Sequence, residues 1–201
     1  MSTVLLNPTG DNRQPQEQTP SNAYAVANWF LGTFRNNNKP ITLAGLQKFV
    51  YLAFGWYCVH KNTLLFDDRV AMSHSGPVIV PLEKMFSCFG EKPITRTAQI
   101  FQDDKVEVLE FSVHPENCTG FEKLSLKEQQ RLRRAEHDVT DCLRHIYLEF
   151  RETSYDDLST AVCCPGTKIH EMYKNLDKHT SYADIPIKMI QEYFKEFFDT
   201  Q

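Results

Sequence analysis

From Thr42 to about residue 59 the chain carries apolar side chains around most of a helical circumference, and this constrains the fold more than any other stretch. Leu43, Leu46, Val50, Ala53, Phe54 and Tyr57 recur at the three- and four-residue spacing of one broad helix face, with Thr42 placed to cap its start. Phe49, Leu52 and Trp56 widen that face until little polar surface is left. Such a helix escapes water only if other elements surround it, so it is expected at the centre of a helical domain. Gly55 lies on it and is expected to admit a neighbouring element at close range rather than to act as a hinge. Gln47 and Lys48 are its conspicuous polar pair. Either Lys48 carries its ammonium to solvent while Gln47 bonds a nearby backbone group, or the two support a neighbouring turn and help to form a partner-facing groove.

The remaining elements are predicted from capping and periodicity. Asn22 caps a first helix striped by Ala23, Val26, Ala27, Phe30, Leu31 and Phe34, which Asn36 to Asn38 and Pro40 end. Between Asn62 and Val80 the apolar residues come in short pieces, with a chain reversal expected at Ser75-Gly76-Pro77. Pro81 opens a third helix that ends at Gly90. Lys105 to Val113 alternates with a change of parity, which predicts a bulged strand whose partner lies in Ile94 to Phe101. Ser125 and Glu128 make a capping box before the longest helix, to about residue 151, striped by Leu132, Ala135, Val139, Leu143, Ile146 and Phe150. Ser154 caps a short helix through Val162, Lys168 to Leu176 forms another, and Asp184 with Pro186 opens the last. That helix presents Ile187, Ile190, Phe194, Phe197 and Phe198. The fold class is therefore mainly α (α+β): a single compact helical domain over residues 22–199, with a small β element and a disordered N-terminal tail, residues 1–21, too polar to bury useful area.

Composition removes several classes of function. Twenty-two basic against 26 acidic residues leave a net charge of −4, without the basic footprint that phosphate backbones demand, so nucleic acid is not expected as a partner. Arg131, Arg133 and Arg134 are flanked by Glu128, Glu136 and Asp138 and read as a solvated helix face. No apolar run approaches the roughly 18 residues of a membrane span, and the start lacks a secretory signal; no membrane and a cytoplasmic location are expected. Six cysteines without such a signal read as small buried hydrophobes in the main, not as a disulfide framework.

Candidate chemistry is thin. Cys58 and His60 sit roughly 200° apart on a helix and point away from each other. Cys163 or Cys164 could meet His170 across a loop as a hydrolase or transferase pair, but nothing marks a nucleophile. The same three residues are possible zinc ligands, yet adjacent cysteines clamp poorly and a CxxC spacing is missing. Ser73-His74-Ser75-Gly76 lacks the GxSxG elbow, and glycine-rich phosphate loops do not occur. No catalytic residues, no metal and no cofactors are expected.

The run Leu46-Gln47-Lys48-Phe49-Val50-Tyr51-Leu52-Ala53-Phe54-Gly55-Trp56, with Gly76-Pro77-Val78 downstream, resembles the opening LQKLLYxAHGW motif and the GPVxP turn of the Panacea domain, the SocA-like antitoxin family. Ala25 to Leu31, Asp157-Leu158-Ser159 and Gln191 to Phe194 are similar to further helices of that family, so the resemblance covers about residues 22 to 198. It implies an antitoxin-like protein that neutralises a cognate toxin by direct binding without catalysis. Alternatives are a proteolytic adaptor that delivers a bound partner to a protease, a divergent effector-like interaction protein, or, in another class, the small Cys/His hydrolase. This chain has Ser73, Ser75 and Val80 where the family has Trp, Tyr or His, and Pro; Val162, Cys163 and Lys168 replace a Thr-His pair and a Trp. The partner-binding surface is accordingly expected at Ser73, His74, Ser75, Gly76 and Pro77, over Gln47 and Lys48, with Lys168 beside it.

Overall fold

The computed structural model describes residues 19, 21–102, 105–108 and 123–199. Seven α-helices and five strands are found among them: α1 (Ala23–Asn36), α2 (Leu43–Lys61), β1 (Val70–Ser73), β2 (Gly76–Ile79), α3 (Val80–Phe86), β3 (Gln99–Gln102), β4 (Lys105–Val108), α4 (Leu126–Phe150), α5 (Tyr155–Val162), α6 (Lys168–Lys174), β5 (Ala183–Asp184) and α7 (Ile187–Asp199). The architecture is mainly α with a small β element, as expected. The predicted tail lies almost wholly outside the described residues, as does the Leu109–Val113 half of the predicted bulged strand.

The central position of α2 follows from its composition. Thirteen of its 19 residues are buried, Gln47 and Lys48 among them, and α1, α3, α4, α5, α7 and β2 all pack against it. Its Thr42 cap accepts a hydrogen bond from the Gly45 N–H, and its last turn ends at Asn62, in the left-handed region at φ 51°. Gly55 faces α7, where an added Cβ would stand 2.0 Å from the Phe194 ring. The expectation of close approach holds: any side chain there would push α7 off the core. Phe194 in turn packs on Tyr51, with ring centroids 5.1 Å apart.

α4 runs antiparallel to α2, the Cys142 Sγ lying against the Ala53 carbonyl and Lys61 Nζ 2.7 Å from Asp138. The predicted capping box is present at its start. Its stripe is corrected, however. Val139, Cys142, Leu143, Ile146, Tyr147 and Phe150 are buried, but Leu132 is exposed and Ala135 only half-buried. Lys61 is the last residue of α2 and already meets Asp138, so the first turns of α4 extend beyond the end of α2.

The three-stranded sheet has the order β2-β1-β5, all antiparallel. β5 was not expected: the sequence reading used Asp184 to open the last helix, whereas Asp184 pairs with Ala71 and takes an ion pair from Arg69 at 2.6 Å. The reversal between β1 and β2 is also corrected. It is made by His74 and Ser75 alone, with Ser73 opposite Gly76, while Gly76 and Pro77 belong to β2. Gly76 sits at φ 98°, which strongly favours glycine, and Pro77 lies in an edge strand, where a missing N–H is tolerated. β3 and β4 form a separate hairpin, Phe101 opposite Val106. α3 ends four residues before Gly90, and a single 3-10 turn, Ser87–Phe89, leads to that glycine at φ 57°. α6 stops at Lys174, short of Leu176. On α7 the buried set is Ile190, Tyr193 and Phe194, with Ile187 exposed at the helix start.

Candidate functional site

Three polar residues are buried among the described ones: Asn28, Gln47 and Lys48, at 8, 3 and 6% exposure. The last two stand on adjacent positions of α2 below the β1–β2 hairpin. The Gln47 amide imitates a strand edge: the Ile79 N–H donates to its Oε1 at 2.8 Å and its Nε2 donates to the Ile79 carbonyl at 3.2 Å. A further contact of 3.3 Å reaches the Glu83 carboxylate on α3. Gln47 therefore bonds a backbone group and supports the hairpin at once, because that backbone group is the end of β2.

Lys48 does not carry its ammonium to open solvent. Its Nζ lies 3.9 Å from the centroid of the Tyr155 ring, at the start of α5, and 3.5 Å from the Ala44 carbonyl one turn back on its own helix. The ring face offers a cation its negative quadrupole. No described carboxylate stands within ion-pair distance of Lys48.

Above this pair opens a cleft of about 190 Å³, its walls including Gln47, Lys48, Glu83, Ser75, Pro77 and Val162. Four of the eight predicted site residues thus share one concavity: Gln47, Lys48, Ser75 and Pro77. The others are placed as follows. Ser73 acts within the hairpin, its Oγ donating to the Gly76 carbonyl at 2.9 Å and accepting from the Ser75 N–H at 3.1 Å. His74 is exposed at the tip, its carbonyl accepting from the Tyr173 hydroxyl at 3.4 Å, and buried Gly76 supplies the backbone angle. Lys168 does not line the cleft; it is exposed at the start of α6 and paired with Glu192 of α7 at 3.0 Å. Sequence reading missed Glu83 and Tyr155. The first carried only the weak signal of an acid in a first helical turn, and the second none, because its role arises from a contact between distant segments.

The Cys/His loop does bring two of its residues together: Cys163 Sγ and His170 Nδ1 are 3.8 Å apart. Burial pushes the Cys163 thiol up to about 11, with Cys164 adding to it, which is the wrong direction for a nucleophile at neutral pH. The five described cysteines are free; Cys58 and Cys142 are the buried ones, Cys88 is exposed and the adjacent pair half-buried. Cys58 and His60 do diverge, the thiol being buried and the imidazole exposed and stacked on Trp56 at 4.1 Å. Among the described residues no three His, Cys, Asp or Glu side chains are grouped to hold a metal ion, and no helix is long and apolar enough to cross a membrane. A second, broader depression of about 470 Å³ lies between the end of α2 and the start of α4, lined by Lys61, Lys127, Arg131 and Arg134 with Asp138. Its three α4 cations are exposed, as a solvated face requires.

The model of the antitoxin SocA-like, Panacea domain family matches residues 46–163, from the first residue of the α2 motif to the loop after α5. No curated protein and no solved structure matches the chain. The chain belongs to the SocA-like Panacea domain family.

Proposed function

We propose that this Panacea domain protein is an antitoxin-like binding protein, which neutralises a cognate toxin by holding it at the cleft over Gln47 and Lys48, in the cytoplasm and without catalysis. Family membership supports an antitoxin-like role. The observation that carries the placement is the cleft itself, which draws Gln47 and Lys48 from one end of the matched region, Ser75 and Pro77 from the hairpin that follows and Val162 from the other end. Four separate segments, α2, the hairpin, α3 and the end of α5, meet at one concave surface, the arrangement by which a fold positions a recognition site. Ser75, on the exposed hairpin tip, and the half-buried Glu83 supply polar chemistry at the rim, where changed side chains alter which partner is accepted.

The test is co-expression with the product of the adjacent reading frame. That product should arrest growth alone, and this chain should restore it and bind the product directly. Ser75→Trp, which fills the cleft from an exposed position, should weaken binding tenfold or more, about 1.4 kcal/mol, at an unchanged melting temperature. A harmless neighbour, or full binding by a well-folded Ser75→Trp variant, would overturn the reading.

A further inference from the structure

Lys48 is more than nine-tenths buried, and what surrounds it is a poor match for a permanent charge. Buried lysines in folded proteins are ordinarily paired, because an ammonium removed from water needs a counter-charge or several good acceptors. Here one side of the ammonium meets the Tyr155 ring, and the one hydrogen bond, to Ala44, is at the outer limit of length. The remaining side of Lys48 lines the cleft. Gln47 is no help as an acceptor: its Oε1 is engaged by the Ile79 N–H and its Nε2 donates. Glu83 lines the same cleft but stands against the Gln47 amide, and it is not paired with Lys48.

We propose that Lys48 is the receptor for a carboxylate supplied by the partner, an Asp or Glu side chain that enters the cleft between Ser75 and Glu83 and ends on the ammonium. This rests on the reading of the cleft as the partner site and names the chemistry that the partner must bring. A side chain is favoured over a chain terminus, because capture of a terminal carboxylate uses converging backbone N–H groups. Beside this cleft the Ile79 N–H is committed to Gln47, and within it the Ser75 N–H is committed to Ser73 Oγ. The space, about 190 Å³, accommodates a side chain. Tyr155, itself half exposed at the start of α5, covers one side of the ammonium, and the incoming group approaches through the cleft. Glu83 repels that group, which gives the site an internal brake and a second, oppositely signed handle.

The experiment is a titration of the whole chain, labelled with ¹³C at lysine Cε, with N-acetyl-glutamate methylamide and, separately, with its neutral glutamine analogue. The Lys48 signal, assigned by its loss in Lys48→Met, should shift saturably with the carboxylate and not with the amide. Glu83→Gln should lower the concentration at half-saturation by twofold or more. An unshifted Lys48 signal, an equal response to both probes, or weaker binding in Glu83→Gln would each overturn the proposal. N-acetylglycine, a terminal carboxylate, should bind more weakly than the glutamate probe; tighter binding would overturn the choice of a side chain. The failures are separable: a partner that binds at the cleft but tolerates Lys48→Met refutes the carboxylate alone, whereas a partner that ignores Ser75→Trp refutes the cleft as its site.

Discussion

Asn28 and Lys48 are both buried polar residues on the two helices at the heart of the domain, and they are treated in opposite ways. Asn28 is closed: the Ala98 N–H donates to its Oδ1 at 2.6 Å and its Nδ2 donates to the Ala98 carbonyl at 3.0 Å, so the amide ties the segment after α3 to α1. Gln47 uses the same device on Ile79. Lys48, its neighbour, has a ring on one side and a cleft on the other. A buried polar group whose partners are all internal specifies structure, whereas one whose partner is missing from the interior points to something that comes from outside.

The largest effects should come from removing the platform on which both residues stand. Leu46 and Phe54 are almost wholly inaccessible. Leu46→Ala or Phe54→Ala is expected to cost about 2–5 kcal/mol in chemical denaturation, which would erase the contrast by unfolding a marginal domain. A stable, soluble variant would mean that α2 is not the centre of the core.

Next in size are the closed amides. Asn28→Ala leaves the buried N–H and C=O of Ala98 unpaired and should cost on the order of 1–3 kcal/mol, with the partner bound as before once the protein is folded. Gln47→Ala should cost a similar amount, about 1–3 kcal/mol, yet also weaken the partner, since it releases β2 from the cleft wall. Equal binding by the two variants would dissolve the distinction between structural and functional amides.

Smaller effects concern the regions set apart from the cleft. Cys163 holds its proton until the pH approaches about 11, above the 9.0 of an ordinary thiol. Its alkylation by iodoacetamide should therefore be slow at pH 8 and accelerate as the pH rises through that range. Fast modification at pH 8 would reopen the Cys/His pair as a reactive centre. The burial has a linked consequence for stability. The folded state binds this proton more tightly than the unfolded chain, so the contribution is complete below the unfolded pKa and is lost as pH rises toward the folded one. Lys168→Glu should change least, leaving both melting temperature and partner affinity nearly where they were, because its pairing with Glu192 is at the surface and outside the cleft.

Much of this was legible in the sequence where a local rule applied. The all-round apolar character of α2, the Ser125–Glu128 box and the close approach at Gly55 each follow from a few neighbouring residues and a known period, and each is found in the structure. β5 was not legible, because two residues are too few to show alternation and the nearby Pro186 imitates a helix start. The hairpin tip was misplaced for a related reason: Gly76 and Pro77 are turn-forming residues used here inside an edge strand, and the tighter reversal at His74–Ser75 is set by the pairing of β1 with β2. Tyr193 was missed from the α7 face, since its hydroxyl bonds to the Ala161 carbonyl at 2.7 Å and accepts from the Cys164 N–H at 3.1 Å across the fold. At the site, the pairing of Gln47 with a backbone group was foreseeable, but the burial of Lys48 beneath Tyr155 was not. Long lysines normally reach water, and only the assembled fold removes that route.

The most direct measurement is the affinity of the adjacent-frame product for Lys48→Met, taken beside its melting temperature. Replacing a buried, unpaired charge with an apolar side chain of similar length should leave stability unchanged or raise it. Binding should fall tenfold or more, about 1.4 kcal/mol. Undiminished binding by a Lys48→Met protein that melts at or above the parent temperature would contradict the account, for Lys48 would then be a tolerated oddity of the core and not the group that the partner seeks.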